Sequence, residues 1–330
     1  MRILVTGAAG FIGAHLCKLL QEQGIEVLGI DNFNDYYSPD LKMSRIENLV
    51  KKPHETILKI DLLDKTALKN LFEQYKPNVV VHLAAQAGVR LKDSEFYKYT
   101  DSNIIGFANI CELIKEFEIT NFLYASSSSV YGNLNQVPFK ESSSGLQPIS
   151  VYGVTKLFDE LYGFAYFRNT QIKSVGMRFF TVYGPWGRPD MAYFKIINSL
   201  LNKTEFTRFG NGELKRDFTY VEDTVNSIYK LIMKVFESKI HGQEIYNVGG
   251  GNPYSLNELI NEMERQFAQK LVIKELDASS ADVKITYASY EKLQNYINYA
   301  PKTTLKEGIS NLLAWVKNPG VTEKILNWSN

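Results

Sequence analysis

The sequence is poor in the residues that anchor disulfide and metal-built folds. Its 330 residues contain two cysteines, Cys17 and Cys111. Each falls on an apolar helical pattern, which suits a reduced, buried thiol and excludes a disulfide framework. The four histidines are scattered without metal-ligand spacing, so no metal is expected. Net charge is nearly nil: 37 basic and 36 acidic residues leave +1. Such a balance gives no basic surface for holding nucleic acid. Apolar runs such as residues 79–81 are far too short to span a bilayer, so no membrane partner is expected. Ile3, Leu4 and Val5 enter a core strand at once, without the charged start and apolar stretch of a signal peptide. A soluble, cytoplasmic protein is the expectation. There is no internal repeat and no low-complexity segment.

What is present is an alternation of strand and helix. A composition 45% hydrophobic and 22% charged suits one large α/β domain or two that share an interface. Residues 2–6 read as a strand, GAAGFIG follows, and a helix runs from Phe11 to about Gln23. Gly7 permits a tight turn, Gly10 lets backbone approach a pyrophosphate, and Gly13 lets the helix pack on the strand. Phe11 and Ile12 then open a helix whose free N–H groups face an anion. The plain alternative is a purely structural turn. Context argues against it: a second strand, 26–30, ends in Asp31, followed by Asn32. A carboxylate there accepts the hydrogen bonds of an adenosine ribose and repels a 2′-phosphate, which favours NAD over NADP.

Residues 32–49 are polar and aromatic, ending in a helical stretch; they suit either plain surface or an insertion near the cofactor. A third strand, 56–60, ends at Asp61 and Leu62, placed to bracket an adenine, or, for the acid, to cap the helix at 66–75. Residues 78–85 form an apolar strand covered on both faces, and its end, Leu83, Ala84 and Ala85, leaves room for a dinucleotide. Helix 96–117 is interrupted by Asn103 and Asn109, and strand 121–125 delivers the serines 126–129. The order predicts a doubly wound parallel sheet with right-handed crossovers. Gly7, Asp31, Asp61, Ala84 and Ser127 all follow strands, so they share one ligand-binding edge.

The stretch SVYGVTKLFD puts Tyr152 and Lys156 four residues apart on a helix, where both can face one site. A cation beside a phenol lowers its pKa, so Tyr152 can take a proton from a hydroxyl. Such a spacing also arises by chance; its company gives it weight. After residue 180 the chain turns to Gly, Pro and aromatics, and Arg216 is a candidate clamp for phosphates or a surface partner of Asp217 or Glu213.

GAAGFIG, Asp31-Asn32, HLAAQAGVR, YASSSSVYG, Tyr152-x-x-x-Lys156 and MRFFTVYGPWGRPDMA together resemble the extended short-chain dehydrogenase/reductase family. The likeness is greatest to its NAD-dependent nucleotide-sugar 4-epimerases, those acting on UDP-glucuronate above all. It implies a Rossmann-type domain at 1–180, with return segments at about 220–250. A smaller α/β nucleotide-sugar-binding domain is implied at about 181–219 and 251–330. The implied catalytic residues are Tyr152 as base, Ser127 sharing its hydrogen bond, and Lys156 holding the nicotinamide ribose. NAD would take a hydride from sugar carbon 4 and return it to the other face. Asn103 is implied on the cofactor side. Ser127, Ser128, Ser129, Arg90, Thr181, Arg188, Arg216 and Asp282 are implied around the UDP-sugar. Threonine at 181 with arginine at 188 resembles the uronate enzymes, whereas neutral-sugar epimerases carry asparagine at the position of Thr181. Serines 127–129 stand where dehydratases and decarboxylases keep carboxyl groups, and hydroxyls cannot replace those acids. Epimerases of UDP-glucose or UDP-N-acetylglucosamine, a decarboxylase and a non-catalytic NAD-binding regulator stay open. Relatives pair as homodimers through helices at about 96–117 and 153–167, and Leu161, Phe164 and Ala165 share a stripe there, which could equally pack within one chain. Residues 318–330 carry no readable signal.

Overall fold

The computed structural model describes residues 1–328 apart from 89–90, 239–241, 278–282 and 284. Twelve strands are defined among them, in chain order β1 (Arg2–Thr6), β2 (Glu26–Asp31), β3 (Ile57–Lys59), β4 (Val79–His82), β5 (Asn121–Ser127), β6 (Lys173–Phe179), β7 (Thr181–Tyr183), β8 (Glu205–Phe209), β9 (Lys215–Tyr220), β10 (Gly242–Val248), β11 (Pro253–Ser255) and β12 (Val272–Leu276). Seven of them form one sheet in the order β10-β6-β5-β4-β1-β2-β3. Every neighbouring pair in it is parallel. The chain leaves β1 toward β2 on one side and fills β4 on the other. The crevice beyond these strand ends is therefore the switch point of a doubly wound sheet.

The apolar pattern explains the layers. Ile3, Leu4 and Val5 of β1 and Val79, Val80 and Val81 of β4 are fully buried, as strands covered on both faces must be. Odd members of β1 and β4 pack with the Phe11–Glu22 and Val221–Glu237 helices. Leu4 and Val80 pack with the helices Lys65–Tyr75 and Gly106–Glu116 on the other face. The expected helix at 96–117 is not uniform. It is a short turn, a π-helical stretch over Thr100–Ile105, and then the Gly106–Glu116 helix. A Cβ on Gly106 would lie 2.9 Å from the Leu62 side chain, so the segment presses closely on the loop after β3. A π-bulge is a local feature that often accompanies functional sites.

Beyond the sheet lies a second core, built around the helices Ala192–Asn202, Leu256–Phe267 and Leu305–Val316. It carries a three-stranded sheet, β11-β9-β7, and a pair, β12-β8. Its helices start where the sequence says they should. Ser255 with Glu258, and Thr304 with Glu307, form reciprocal capping boxes, each satisfying two otherwise orphaned N–H groups. The segment without a readable signal is the Pro319–Trp328 helix, which buries Val321, Ile325 and Trp328 in this core. Residues 32–49 are not plain surface. The Pro39–Leu49 helix buries Lys42, Ser44 and Arg45 and sends Leu41 into the second core. Arg45 is fully buried and donates to carbonyls of Ala9 (2.6 Å) and Trp186 (2.8 Å). That ties the glycine turn to the loop after β7.

Candidate active site

The glycine turn is shaped by what cannot fit. Gly7 has φ +68°, and a Cβ there would lie 2.7 Å from the Ala84 nitrogen. A Cβ on Gly13 would lie 2.1 Å, and one on Gly10 2.9 Å, from the Gly7 carbonyl oxygen. The three glycines therefore first let the turn close on itself and on the end of β4. The Phe11–Glu22 helix begins at Gly10 with no side-chain cap and no acid in its first turn. Its uncapped N–H end faces a cavity of about 670 Å³ lined by Gly7, Gly10, Phe11, Ile12 and Gly13. That volume suits a cofactor site, and an uncapped helix N-terminus suits a pyrophosphate. The residues present fit a dinucleotide.

Asp31, Asn32, Asp61, Leu62, Leu83, Ala84 and Ala85 line the same cavity. Asp31 accepts from the backbone N–H of Ala9 (3.1 Å) and Phe33 (2.8 Å), so its carboxylate also braces the loops it serves. Asn32 donates to Asp61 at 2.8 Å. Asp61 is not the cap of the following helix; Asp64 is, accepting from Ala67 N–H. Asn103 departs from expectation. It is 1% exposed and does not line the cavity. Its Oδ1 accepts from Gln86 N–H (2.7 Å), while its Nδ2 donates to Gln86 O (3.1 Å) and Thr155 Oγ1 (3.0 Å). With both ends of the amide used by protein, it positions the loop after β4 against the Tyr152 helix. Ser102, one residue earlier, lines the cavity instead. Asn109 acts similarly on the loop after β3, donating to Leu62 O at 2.8 Å.

The proton-transfer group sits at the sheet edge. β5 runs on through Ser127, whose Oγ accepts from Ser129 N–H at 3.1 Å and lies 3.1 Å from Ser129 Oγ. Ser150 caps the Val151–Phe167 helix by accepting from Gly153 N–H at 3.1 Å. Tyr152 is the second residue of that helix, and it lines the cavity with Ser127, Ser128, Ser129 and Lys156. Lys156 pairs with Asp159 at 2.9 Å, both side chains 1% exposed. Burial opposes the ammonium, but Asp159, Tyr152 and Glu160 outweigh it and hold Lys156 above its ordinary value. Burial lifts the Asp159 carboxyl against the pull of Lys156. One turn below, Glu160 takes a bidentate pair from Arg178 (2.8 and 2.7 Å) and a hydrogen bond from Ser126 (2.5 Å). Asp159, Glu160 and Arg178 escaped the sequence reading. Their signal was two acids on the Lys156 helix and one arginine inside an otherwise apolar strand.

Thr181 and Arg188 line the cavity too. Arg188 does not stand open: its Nε and Nη2 donate to Asp190 at 3.0 and 2.5 Å. Tyr36 also donates to Asp190, at 3.2 Å. Burial opposes the Asp190 charge, but Arg188 and Tyr36 outweigh it and keep the carboxyl below the usual range. Arg216 donates from Nη1 to the carbonyls of Lys215 and Val283. It lines both this cavity and a second one of about 770 Å³ in the other core; Asp190 and Lys195 also line both. Asp217, the partner considered for it, accepts instead from the N–H groups of Gly250, Gly251 and Ala288. Arg90 and Asp282 lie outside the described residues. Among the described residues no group of three or more His, Cys, Asp and Glu could hold a metal ion.

A model of the NAD dependent epimerase/dehydratase family matches residues 3–249. Protein CapI of Staphylococcus aureus is 40% identical over 328 residues, covering 96% of this chain and 98% of that one. UDP-glucuronate 4-epimerase of Thermodesulfobacterium geofontis is 38% identical over 315 residues, covering 95% of each. Among solved structures, UDP-glucuronic acid 4-epimerase from Bacillus cereus, in complex with UDP-glucuronic acid and NAD, superposes with a TM-score of 0.89 at 34% identity, covering 96% of this chain and 99% of that one.

Proposed function

The chain belongs to the NAD dependent epimerase/dehydratase family, and we propose that it is an NAD-dependent 4-epimerase interconverting UDP-glucuronate and UDP-galacturonate. The observation that carries this reading is the ring of donors around Tyr152. Ser127, Ser128, Ser129, Thr181 and Arg188 line one cavity with Tyr152 and Lys156, and none of the five is a carboxyl acid that elimination would need. Relatives named as UDP-glucuronate 4-epimerases, matched along nearly the whole chain, support it.

Bound NAD supplies a reversible hydride acceptor for sugar carbon 4. The chain does the rest. Tyr152 removes the proton of the 4-hydroxyl and later returns it; Ser127 shares that hydrogen bond. Lys156, kept charged by Asp159, lines the same cavity and would hold the nicotinamide ribose. The hydroxyls of Ser128, Ser129 and Thr181 can donate to a 6-carboxylate. Arg188 can add its Nη1, since Asp190 holds only its Nε and Nη2. A desolvated carboxylate needs such partners. A 4-keto uronate is a β-keto acid, so a firm grip on that carboxylate also restrains loss of carbon dioxide. The sheet and its flanking helices would form the NAD-binding domain, and the second core, with its own cavity beside Arg216, the UDP-binding domain. No described helix is long and apolar enough to cross a membrane.

One observation favours a second reading. Asp190 already compensates Arg188, which lowers the cost of placing a neutral 6-hydroxymethyl group there, as in UDP-glucose. Supplying purified protein with UDP-glucuronate, UDP-glucose and UDP-N-acetylglucosamine and resolving the C4 epimers decides between them. Arg188→Ala should cut turnover of UDP-glucuronate by about 10- to 100-fold more than that of UDP-glucose and release some UDP-4-keto-pentose. Faster turnover of UDP-glucose by the wild type, or unchanged selectivity in the variant, overturns the uronate assignment.

A further inference from the structure

The cofactor cavity contains a cation with no assigned role. Lys42, on the Pro39–Leu49 helix, is 4% exposed and lines the cavity beside Asp31, Asn32 and Asn34. Its ammonium donates to Asn34 Oδ1 at 2.7 Å. It lies 3.9 Å from Asp31 Oδ1 and 5.1 Å from the centre of the Tyr37 ring. An ammonium carries three donors. Asn34 takes one. At 3.9 Å the Asp31 contact is an ion pair and not a hydrogen bond, and Asp31 Oδ1 already accepts from Phe33 N–H. Two donors of a nearly buried cation are thus left at the wall of a cavity. Burying a cation this way is costly unless a ligand supplies acceptors. Tyr37 offers its ring face, which attracts the charge but accepts no strong hydrogen bond.

We propose that Lys42 is a second specificity-determining residue for the cofactor: it donates to the adenosine ribose beside Asp31, and it offsets the Asp31 carboxylate that opposes a 2′-phosphate. This rests on the reading of the cavity as an NAD site. The physical logic is a sum of charges. Lys42 and Asp31 offset one another, while the Asp61 carboxylate, held by the Asn32 amide, lies on the same cavity wall. A dianionic 2′-phosphate then meets one acid at hydrogen-bond range and gains little from a cation already paired. Take away Asp31 and the Lys42 ammonium loses its carboxylate neighbour, leaving its two remaining donors to suit a phosphate, while the Asn32 amide stays committed to Asp61. An acid-to-neutral change in a pocket without such a cation removes repulsion but adds no attraction. Here it should do both.

The test compares wild type with Asp31→Ser, Lys42→Met, and the double variant. Each is equilibrated with equimolar NAD and NADP, freed of unbound nucleotide and denatured, and the two dinucleotides are quantified by chromatography. The wild type should hold NAD. Asp31→Ser should raise the bound NADP:NAD ratio by on the order of 100-fold, and adding Lys42→Met should remove about 10- to 100-fold of that gain. Lys42→Met alone should weaken retention of NAD about tenfold. Should Lys42→Met fail to fold, Lys42→Arg and Lys42→Gln in the Asp31→Ser background make the same comparison: the arginine keeps the NADP preference and the glutamine loses it. A ratio in Asp31→Ser that does not depend on residue 42 overturns the role of Lys42 while leaving the NAD site intact. A wild type that binds neither dinucleotide overturns the cofactor reading, and this inference with it. Both outcomes are read from bound nucleotide alone, without turnover of sugar.

Discussion

At the scale of single residues, the proton-transfer reading of Tyr152 rests on its place in one cavity with Ser127, Lys156 and Asp31. Tyr152 and Lys156 were visible as a spacing, Ser127 by its place after a strand, and Asp31 by its distance from the glycine turn. All of them line one cavity. Tyr152→Phe should lower turnover by about 100-fold or more, with little change in substrate affinity, because it removes proton transfer and leaves the ring in place. Steady-state kinetics with a separate binding titration check this, and retention of most activity would reassign the base. Asn103 shows why polar residues in apolar helices are hard to read. A buried asparagine can point at a ligand or hold the backbone, and here its amide is used by Gln86 and Thr155 at both ends. The Arg178–Glu160 pair depends on β6 lying under the Val151–Phe167 helix, a tertiary fact that no local pattern contains, whereas Lys156–Asp159 is a local pair within that helix. Arg188 was legible as a cation from its sequence; its pairing with Asp190, two residues along, is visible only in the structure, where both line the cavity.

At the scale of elements, long periodic segments were read well and short or irregular ones poorly. Six of the seven strands of the main sheet come before the chain turns to the second core, and the sequence marked the first five of them. What was missed has physical reasons. The π-helical stretch at Thr100–Ile105 breaks a 3.6-residue period. The β7, β8 and β11 strands depend on partners far away in sequence. The Pro319–Trp328 helix follows Asn318 and carries few apolar residues, which gives it little local signal, yet it closes the second core. Its Trp328 ring centre lies 5.7 Å from that of Trp186 and 6.5 Å from that of Trp315. Trp186 belongs to the loop that bears Arg188 and accepts from Arg45. The last helix is thus linked by packing to the loop that carries Arg188. Ile325 is fully buried, so Ile325→Ala should destabilise the protein by about 2–4 kcal/mol. Urea unfolding monitored by tryptophan fluorescence measures it, and a loss below about 0.5 kcal/mol would mean that the helix is not docked in solution.

At the scale of the whole molecule, two properties follow from what lies on the surface and what is hidden. Leu161 and Phe164 are 62% and 57% exposed, and Val151 and Val154 on the same helix are also exposed. An exposed apolar stripe of this kind suits a contact with a second copy. Light scattering should give twice the chain mass for the wild type and the chain mass for Leu161→Glu with Phe164→Glu; a wild-type monomer at all dilutions rejects the dimer. The hidden property is a pair of neutral histidines. Burial, opposed by a hydrogen-bond contact with the Phe11 carbonyl, lowers His15 to about 4, and burial with the nearby Lys156 lowers His82 to about 3. In the unfolded chain both titrate near ~6.5. Below that pH the unfolded state binds protons that the folded state refuses, so stability is full above about 6.5 and falls as the pH drops toward 4. Each histidine contributes at most on the order of 3–4 kcal/mol over that window. Asp159 works in the opposite sense: its raised carboxyl keeps a proton that the unfolded chain gives up, so its own contribution falls as the pH rises through the acid range. Burial raises the Asp217 carboxyl in the same sense as Asp159, so these two oppose the histidines, and the His15 contribution is isolated by substitution, with urea midpoints read from pH 7 to 5. His15→Gln should be less stable at pH 7 but should lose about one proton from the slope, roughly 1.4 kcal/mol per pH unit. An unchanged slope in that variant would mean that His15 titrates normally in the folded protein, and that the first turn of the helix behind the glycine loop is open to water.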